Sequence, residues 1–201
     1  SMPRPRASGQ PIYHKRGTSP AMSKITSDRD FLPVNIALLT VSDSRSLEDD
    51  RSGDVLEQRI LEAGHKLAVR RIVKDEQTLI VEQLRAWIAD PEVDTVISTG
   101  GTGLTGRDIT PEAFEEVYEK EIKGFGELFR QLSYDLIGTS TMQSRATGGL
   151  AGGTYLFALP GSPGACKDGW DKILKAQLDS RQRPCNLVEL MPRLQEHLQT
   201  G

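Results

Sequence analysis

Val93-Asp-Thr-Val-Ile-Ser-Thr-Gly-Gly-Thr-Gly-Leu-Thr-Gly-Arg-Asp108 runs from β-branched residues through a glycine cluster to an acid. Val93, Val96 and Ile97, in a short run bounded by breakers, predict a buried strand. Gly100, Gly101 and Gly103 free the backbone for positive φ and for close approach to a ligand. Thr110-Pro111-Glu112 reads as a helix start: Thr110 as the capping hydroxyl, proline in the first turn, and an acid where the helix dipole favours one. Strand, glycine loop and helix N-terminus in that order form an anion site, with Gly100, Gly101, Thr102 and Gly103 as its cradle. A carboxylate beside a phosphate is repelled unless a cation lies between them, so Asp108 next to this loop implies Mg²⁺. Spacing alone leaves Asp108 open between that role and a turn or capping aspartate.

The flanking chain supplies the rest of a sheet. Val34–Val41 is apolar nearly throughout, as in a strand covered on both faces, and it ends at the polar cluster Ser42-Asp43-Ser44-Arg45. A helix is expected from about Asp50–Asp54, with Leu56, Ile60 and Ala63 on one face and Gly64 as its stop. Lys66–Val73 is a more polar strand, nearer a sheet edge. Asp75 opens a helix in which Ile80, Leu84 and Ile88 recur every fourth residue. It reads as a cap or, at a strand's carboxyl end, as a second acid on the rim that carries Asp108. Downstream, Phe125, Leu128, Phe129, Leu132 and Leu136 predict one amphipathic face, and Gly148–Gly153 a flexible hinge. Thr154–Leu159 is a strand running into Pro160-Gly161-Ser162-Pro163, and Trp170, Ile173, Leu174 and Leu178 form a buried helix face.

Strands alternating with helices imply an α/β fold with a mostly parallel sheet and right-handed crossovers. Ligands of such sheets lie outside the strands' carboxyl ends. Three of those ends, Ser42–Arg45, Gly100–Gly103 and Pro160–Pro163, carry polar or glycine turns and together predict one pocket. Residues 1–30, rich in Pro, Ser, Gly and Arg, read as a mobile tail, 31–180 as the domain and 181–201 as a C-terminal extension.

Composition narrows the function. At 201 residues, 26% charged and 37% hydrophobic, the chain is expected to form one soluble domain. Residues 1–21 carry four basic side chains and no acid, which leaves 21 basic against 28 acidic in the remainder. That acidic body argues against a nucleic-acid binder. Cys166 and Cys185 have no CxxC spacing and read as reduced cytoplasmic thiols. No apolar run approaches the roughly 18 residues of a membrane span, and the N-terminus has no secretion-signal core, so a cytoplasmic location is expected. Gly100–Gly103 is not G-x-G-x-x-G, and neither a P-loop nor a G-x-S-x-G elbow is present. Phosphate or pterin binding without a standard nucleotide motif is what remains. Ser52-Gly53 and Ser144-Arg145 could serve a phosphate, but on their own they read first as ordinary surface residues.

Thr99-Gly-Gly-Thr-Gly103 followed by Arg107-Asp-Ile-Thr-Pro-Glu-Ala113 resembles the molybdopterin-binding MoaB/MogA family of molybdenum cofactor biosynthesis. Gly124-Phe-Gly-Glu-Leu-Phe-Arg130, Ser144-Arg145 and Leu159-Pro-Gly-Ser-Pro163 fit the same family in the same order. Gln177-Leu-Asp-Ser-Arg-Gln-Arg-Pro-Cys-Asn186 is similar to its B branch. The resemblance covers about residues 33–186. It implies a MogA-like three-layer α/β/α sandwich, assembled as a homotrimer or homohexamer, with a pterin site at the strand ends. It also implies adenylylation of molybdopterin with Mg-ATP, alongside other molybdenum cofactor biosynthesis proteins, or else a carrier or scaffold that only binds the pterin. The family's two essential acids correspond to Asp75 and Asp108, which would also hold Mg²⁺. The resemblance places Ser52 and Ser144 at the ligand, and Ser42, Pro160 and Gly161 on the same rim. Some members of the B branch lack the first acid, whereas this chain keeps Asp75 within Lys74-Asp75-Glu76.

Overall fold

The computed structural model describes residues 24–199. In chain order the elements are β1 (Lys24–Ile25), β2 (Asn35–Val41), α1 (Arg51–Glu62), β3 (Lys66–Val73), α2 (Gln77–Ile88), β4 (Thr95–Thr99), α3 (Thr110–Val117), β5 (Lys120–Glu121), α4 (Lys123–Ile137), β6 (Thr147–Ala151), β7 (Thr154–Leu159), α5 (Pro163–Gly169), α6 (Lys175–Gln177), β8 (Gln182–Arg183) and α7 (Leu187–Leu190). One π turn, Trp170–Leu174, joins α5 to α6.

Six strands form the main sheet in the order β3-β2-β4-β7-β6-β5. The first four are parallel; β6 runs antiparallel to β7, and β5 antiparallel to β6. The register sets Val41 beside Val73, Thr40 beside Thr99, and Thr99 beside Leu159, so the four parallel strands end at one rim. From β2 the chain steps outward to β3 and then back across to β4. The topological switch point therefore lies between β2 and β4, where such sheets open a crevice.

Alternation along β2 divides the core. Ile36 and Leu38 face α1, α4 and α5, packing with Leu56, Ile60, Phe125, Phe157 and Trp170. Ala37, Leu39 and Val41 face α2 and α3, packing with Ile80, Leu84, Val96, Phe114 and Leu156. Two apolar layers on opposite sides of one sheet make the three-layer sandwich. Leu38 and Leu39 are both fully buried, and each such side chain stabilises the fold by roughly 1.5–3 kcal/mol. Asp50, fully buried, pins the start of α1 to the sheet: it accepts from Gly53 N–H (3.0 Å), Thr40 Oγ1 (2.6 Å) and Arg70 (3.1 Å). Among the described residues no helix is long and apolar enough to cross a membrane.

Two expectations are corrected. The glycine-rich segment 148–153 is not a hinge but strand β6 and the turn into β7. A Cβ on Gly148 would lie 2.8 Å from the Phe157 ring, and one on Gly149 2.5 Å from the Tyr118 ring, so these glycines make room for aromatics in a packed sheet. On α4, Phe125 and Phe129 are buried, but Leu128 and Leu136 are exposed, as are Tyr134 and Ile137. The tail expected over 1–30 falls mostly outside the described residues. Within them, Lys24–Ile25 pairs with β8, and Leu32 N–H donates to Ser180 Oγ (2.8 Å), which ties this segment to the C-terminal extension.

Candidate active site at the sheet rim

β4 delivers its loop onto a rigid base. Gly100 has φ +102° and its N–H donates to Leu159 O (3.0 Å); a Cβ there would lie 2.4 Å from Val41 O. Gly101 has φ +71°, and a Cβ would meet Thr110 Oγ1 at 2.3 Å. Gly103 lacks the positive φ expected of it; what its missing side chain provides is room for Asp108. Thr110 is also corrected. Ile109, not Thr110, is the N-cap of α3, and Thr110 instead ties the helix to the loop, donating from N–H to Gly101 O (3.1 Å) and from Oγ1 to Gly100 O (2.9 Å). The N–H groups of Gly101, Thr102 and Gly103 donate to no acceptor among the described residues. Unused backbone donors at the mouth of a crevice are the raw material of an anion site.

Both predicted acids border this loop. Asp75 Oδ1 lies 3.3 Å from the position a Gly101 Cβ would take, and Asp108 Oδ2 lies 2.6 Å from the corresponding position on Gly103. Asp108 Oδ2 accepts from Thr105 N–H (3.0 Å) and Oγ1 (2.8 Å), so the acid does close a turn; its Oδ1 is not used in that turn. Asp75 does not cap α2, whose N-cap is Glu76 without a side-chain bond. Its carboxyl is pushed above the usual range by burial first, then by the charge of Asp43, with Asp108 adding to the effect and Arg107 opposing it. Like-charged crowding of this kind recurs at functional sites.

Asp43 and Arg107 complete the rim. Asp43 Oδ1 accepts the Asp75 N–H (3.0 Å) and Oδ2 accepts Arg107 Nε (3.0 Å) and its terminal nitrogen. The Arg107 guanidinium holds the Asp43 carboxyl below its ordinary range. The loops after β2 and β4 are thus latched across the crevice. Sequence reasoning placed Asp43 only in a polar cluster and Arg107 only in a motif; a strand-end acid facing an arginine across the switch point was the available signal.

The remaining rim residues are mostly structural. Ser52 Oγ donates to Gly161 O (2.7 Å), and Thr99 Oγ1 donates to Pro160 O (2.8 Å). A Cβ on Gly161 would stand 3.3 Å from Gly100 Cα, so the turns after β4 and β7 lie in contact. Ser42 Oγ accepts from Ser44 N–H (3.3 Å) and Arg45 N–H (3.2 Å), and Ser144 Oγ accepts from Ala146 N–H (3.4 Å). Both hydroxyls act there as acceptors, and neither donates to an acceptor among the described residues. Arg145 is a clamp instead of a phosphate ligand: it donates to Gly103 O (2.8 Å), Asp108 O (2.8 Å) and Glu112 Oε1, while its N–H donates to Thr102 O (3.0 Å). Among the described residues no three His, Cys, Asp or Glu side chains are arranged to hold a metal by themselves.

Comparison with known proteins identifies the chain's lineage. Residues 37–180 match the family model described as "Probable molybdopterin binding domain". The chain is 49% identical over 165 residues to molybdenum cofactor biosynthesis protein B of Escherichia coli K12, covering 82% of this chain and 96% of that one. It is 42% identical over 146 residues to the Bacillus subtilis protein of the same name (72% and 86%). A crystal structure of molybdenum cofactor biosynthesis protein B superposes with TM-score 0.73 at 42% identity, covering 75% and 94% of the two chains. MoaB of Pyrococcus furiosus, described as a tungsten cofactor synthesizing protein, superposes with TM-score 0.63 at 34% identity (71% and 91%). The switch-point crevice, its glycine loop and these relatives lead to one conclusion: the chain belongs to the molybdenum cofactor biosynthesis protein B family.

Proposed function

We propose that the rim binds molybdopterin through its phosphate and transfers AMP to that phosphate from Mg-ATP. One observation carries this reading: three unused N–H groups, on Gly101, Thr102 and Gly103, lie between two carboxylates, Asp75 and Asp108. Amides without acids would serve a phosphate carrier; acids without amides would have no anion to work on.

The donor set fits magnesium as it accompanies a nucleotide, because Mg²⁺ is usually bound by one or two carboxylates plus substrate phosphates. Asp75 and Asp108 would hold it, and the charge it supplies would neutralise the phosphates brought together here. Everything else falls to the chain. The loop amides orient the pterin phosphate, and Ser42 and Ser144 have hydrogens free to donate to it. In the transfer, an oxygen of that phosphate forms a bond to the α-phosphorus of ATP while the bond to the β-phosphate oxygen breaks and pyrophosphate departs. The nucleophile is already anionic, so no general base is needed, and positioning supplies most of the rate. Catalysis of this kind depends on a fixed loop, which Arg145 and Thr110 provide.

The Thr105 bonds to Asp108 favour a second reading, a molybdopterin carrier in which that acid is only a turn residue. Incubation with molybdopterin, ATP and Mg²⁺ separates the two: adenylylated pterin and pyrophosphate support transfer, while pterin binding without either product leaves the carrier. Asp108→Asn is expected to retain pterin binding and to slow transfer by about 10².

We further propose that the exposed apolar side chains towards the C-terminal end of α4, Tyr134, Leu136 and Ile137, with Met142 just beyond it, contribute to the contact through which copies of the chain assemble as a trimer or hexamer.

A further inference from the structure

Beside the rim, between the loop after β2 and the last residues of edge strand β3, a cleft of about 420 Å³ opens. It shares Ser42 and Asp43 with the site described above, and Arg45, Arg70, Arg71 and Lys74 bring four basic side chains to its wall. Arg70 is spent inside the protein on Asp50, Asp54 and Glu57. The other three form no ion pair among the described residues. Arg45 donates to Asp49 O (2.9 Å), Arg71 to Arg70 O (3.3 Å), and Lys74 to none. The acid of the cleft, Asp43, is taken by Arg107. In a chain with net charge −3, three unpaired cations on one concave wall are a local reversal of sign. Such a wall attracts and orients anions.

Its position specifies the anion. Lys74 and Asp75 are neighbours on the connection from β3 to α2; Lys74 lines the cleft while Asp75 reaches the Gly101 side of the rim. A ligand filling the cleft therefore lies against Asp43, whose Oδ1 accepts the Asp75 N–H (3.0 Å). Its span over three cations suits a chain of phosphates better than one carboxylate. Leu47, 57% exposed, and half-buried Ile72 add apolar wall against which a nucleoside can rest.

We propose that the cleft of Arg45, Arg71 and Lys74 is a polyphosphate site that seats the phosphate chain of the nucleoside triphosphate, next to the amide cradle and separate from it. The inference rests on the transfer reading above for its ligand, but on its own residues for its place.

The test uses the full chain and two probes, tripolyphosphate and Mg-ATP, titrated calorimetrically into the wild type and into Arg71→Glu/Lys74→Glu. Both side chains are exposed, and thermal melting verifies that the variant is folded. The wild type is expected to bind both probes, and the variant to bind each at least about tenfold more weakly, since losing one charge-assisted contact typically costs that much. Its affinity for molybdopterin should be unchanged. Equal binding of both probes by the two proteins overturns the site, as does a wild type that binds neither. Arg71→Gln/Lys74→Gln gives the same answer without introducing repulsion. The two ideas fail separately. Unaltered KM for ATP in a variant that still transfers AMP removes the cleft and keeps the reaction. Cleft-dependent tripolyphosphate binding without adenylylated product removes the reaction and keeps the cleft.

Discussion

Replacing Arg145 distinguishes a clamp from a ligand more sharply than any substitution of an acid. Its guanidinium reaches three acceptors, Gly103 O, Asp108 O and Glu112, with about a third of its side chain exposed. A hydrogen bond from a charged donor contributes roughly 1.5–3 kcal/mol, while a partly solvated ion pair such as that to Glu112 adds about 0–1 kcal/mol. Because the bonds share one side chain and are not additive, Arg145→Met should cost about 2–4 kcal/mol in all. For a chain of this size that lowers Tm by roughly 4–16 °C. Arg145→Lys is the informative partner. A single ammonium keeps the charge but cannot span three acceptors in fork geometry, so it should recover less than half of the lost stability. Urea unfolding with coincident probes reads the stability; pterin and phosphate titrations read the site. A Lys variant as stable as wild type that nevertheless loses pterin phosphate would refute the clamp and make Arg145 a direct ligand.

Other expectations follow from the same geometry. Asp75 has a folded-state pKa raised above its unfolded value, so its ionised form opposes folding at neutral pH and ceases to do so below the unfolded pKa of about 3.9. Asp75→Asn should therefore be more stable than wild type at pH 7, lose that advantage as pH falls through the Asp75 pKa, and transfer no AMP; an unchanged melting temperature at pH 7 would contradict the burial of the charge. Gly149→Ala places a Cβ 2.5 Å from the Tyr118 ring and should cost about 1–3 kcal/mol by denaturant unfolding. A true hinge would absorb it without loss. Leu136→Asp at the C-terminal end of α4 should reduce the native particle mass measured by light scattering while leaving the circular dichroism of the chain intact.

Much of the architecture was legible because it rests on period and punctuation. The apolar run of β2, the polar edge of β3 and the stop at Gly64 are local signals, and the structure agrees with each. That Asp75 and Asp108 lie beside one loop was legible for another reason: both follow strand ends, and parallel topology brings strand ends to one rim. What could not be read depends on partners distant in sequence. Gly148 and Gly149 look like flexibility until Phe157 and Tyr118 are known to fill the space above them. Arg145 reads as a surface residue or a phosphate contact until the carbonyls of Gly103 and Asp108 are found in its reach. The 64-residue separation between Asp43 and Arg107 hid their pairing in the same way. Leu128 and Leu136 fit an amphipathic pattern, yet the sheet is covered by Phe125 and Phe129 without them.

The contact between Gly161 and Gly100 bears on how the pocket responds to its ligand. Two turns from different strands touch with no side chain between them, and the Gly100 N–H extends the β4–β7 ladder past the end of the strands. The floor of the pocket is consequently as stiff as the sheet itself. Its ordering entropy is spent during folding, so a ligand arriving there finds a preformed surface and gives up little affinity to reorganisation. Motion on binding is left to the exposed walls, Asp43–Asp49 and Leu104–Arg107, which the Arg107–Asp43 ion pair joins across the crevice.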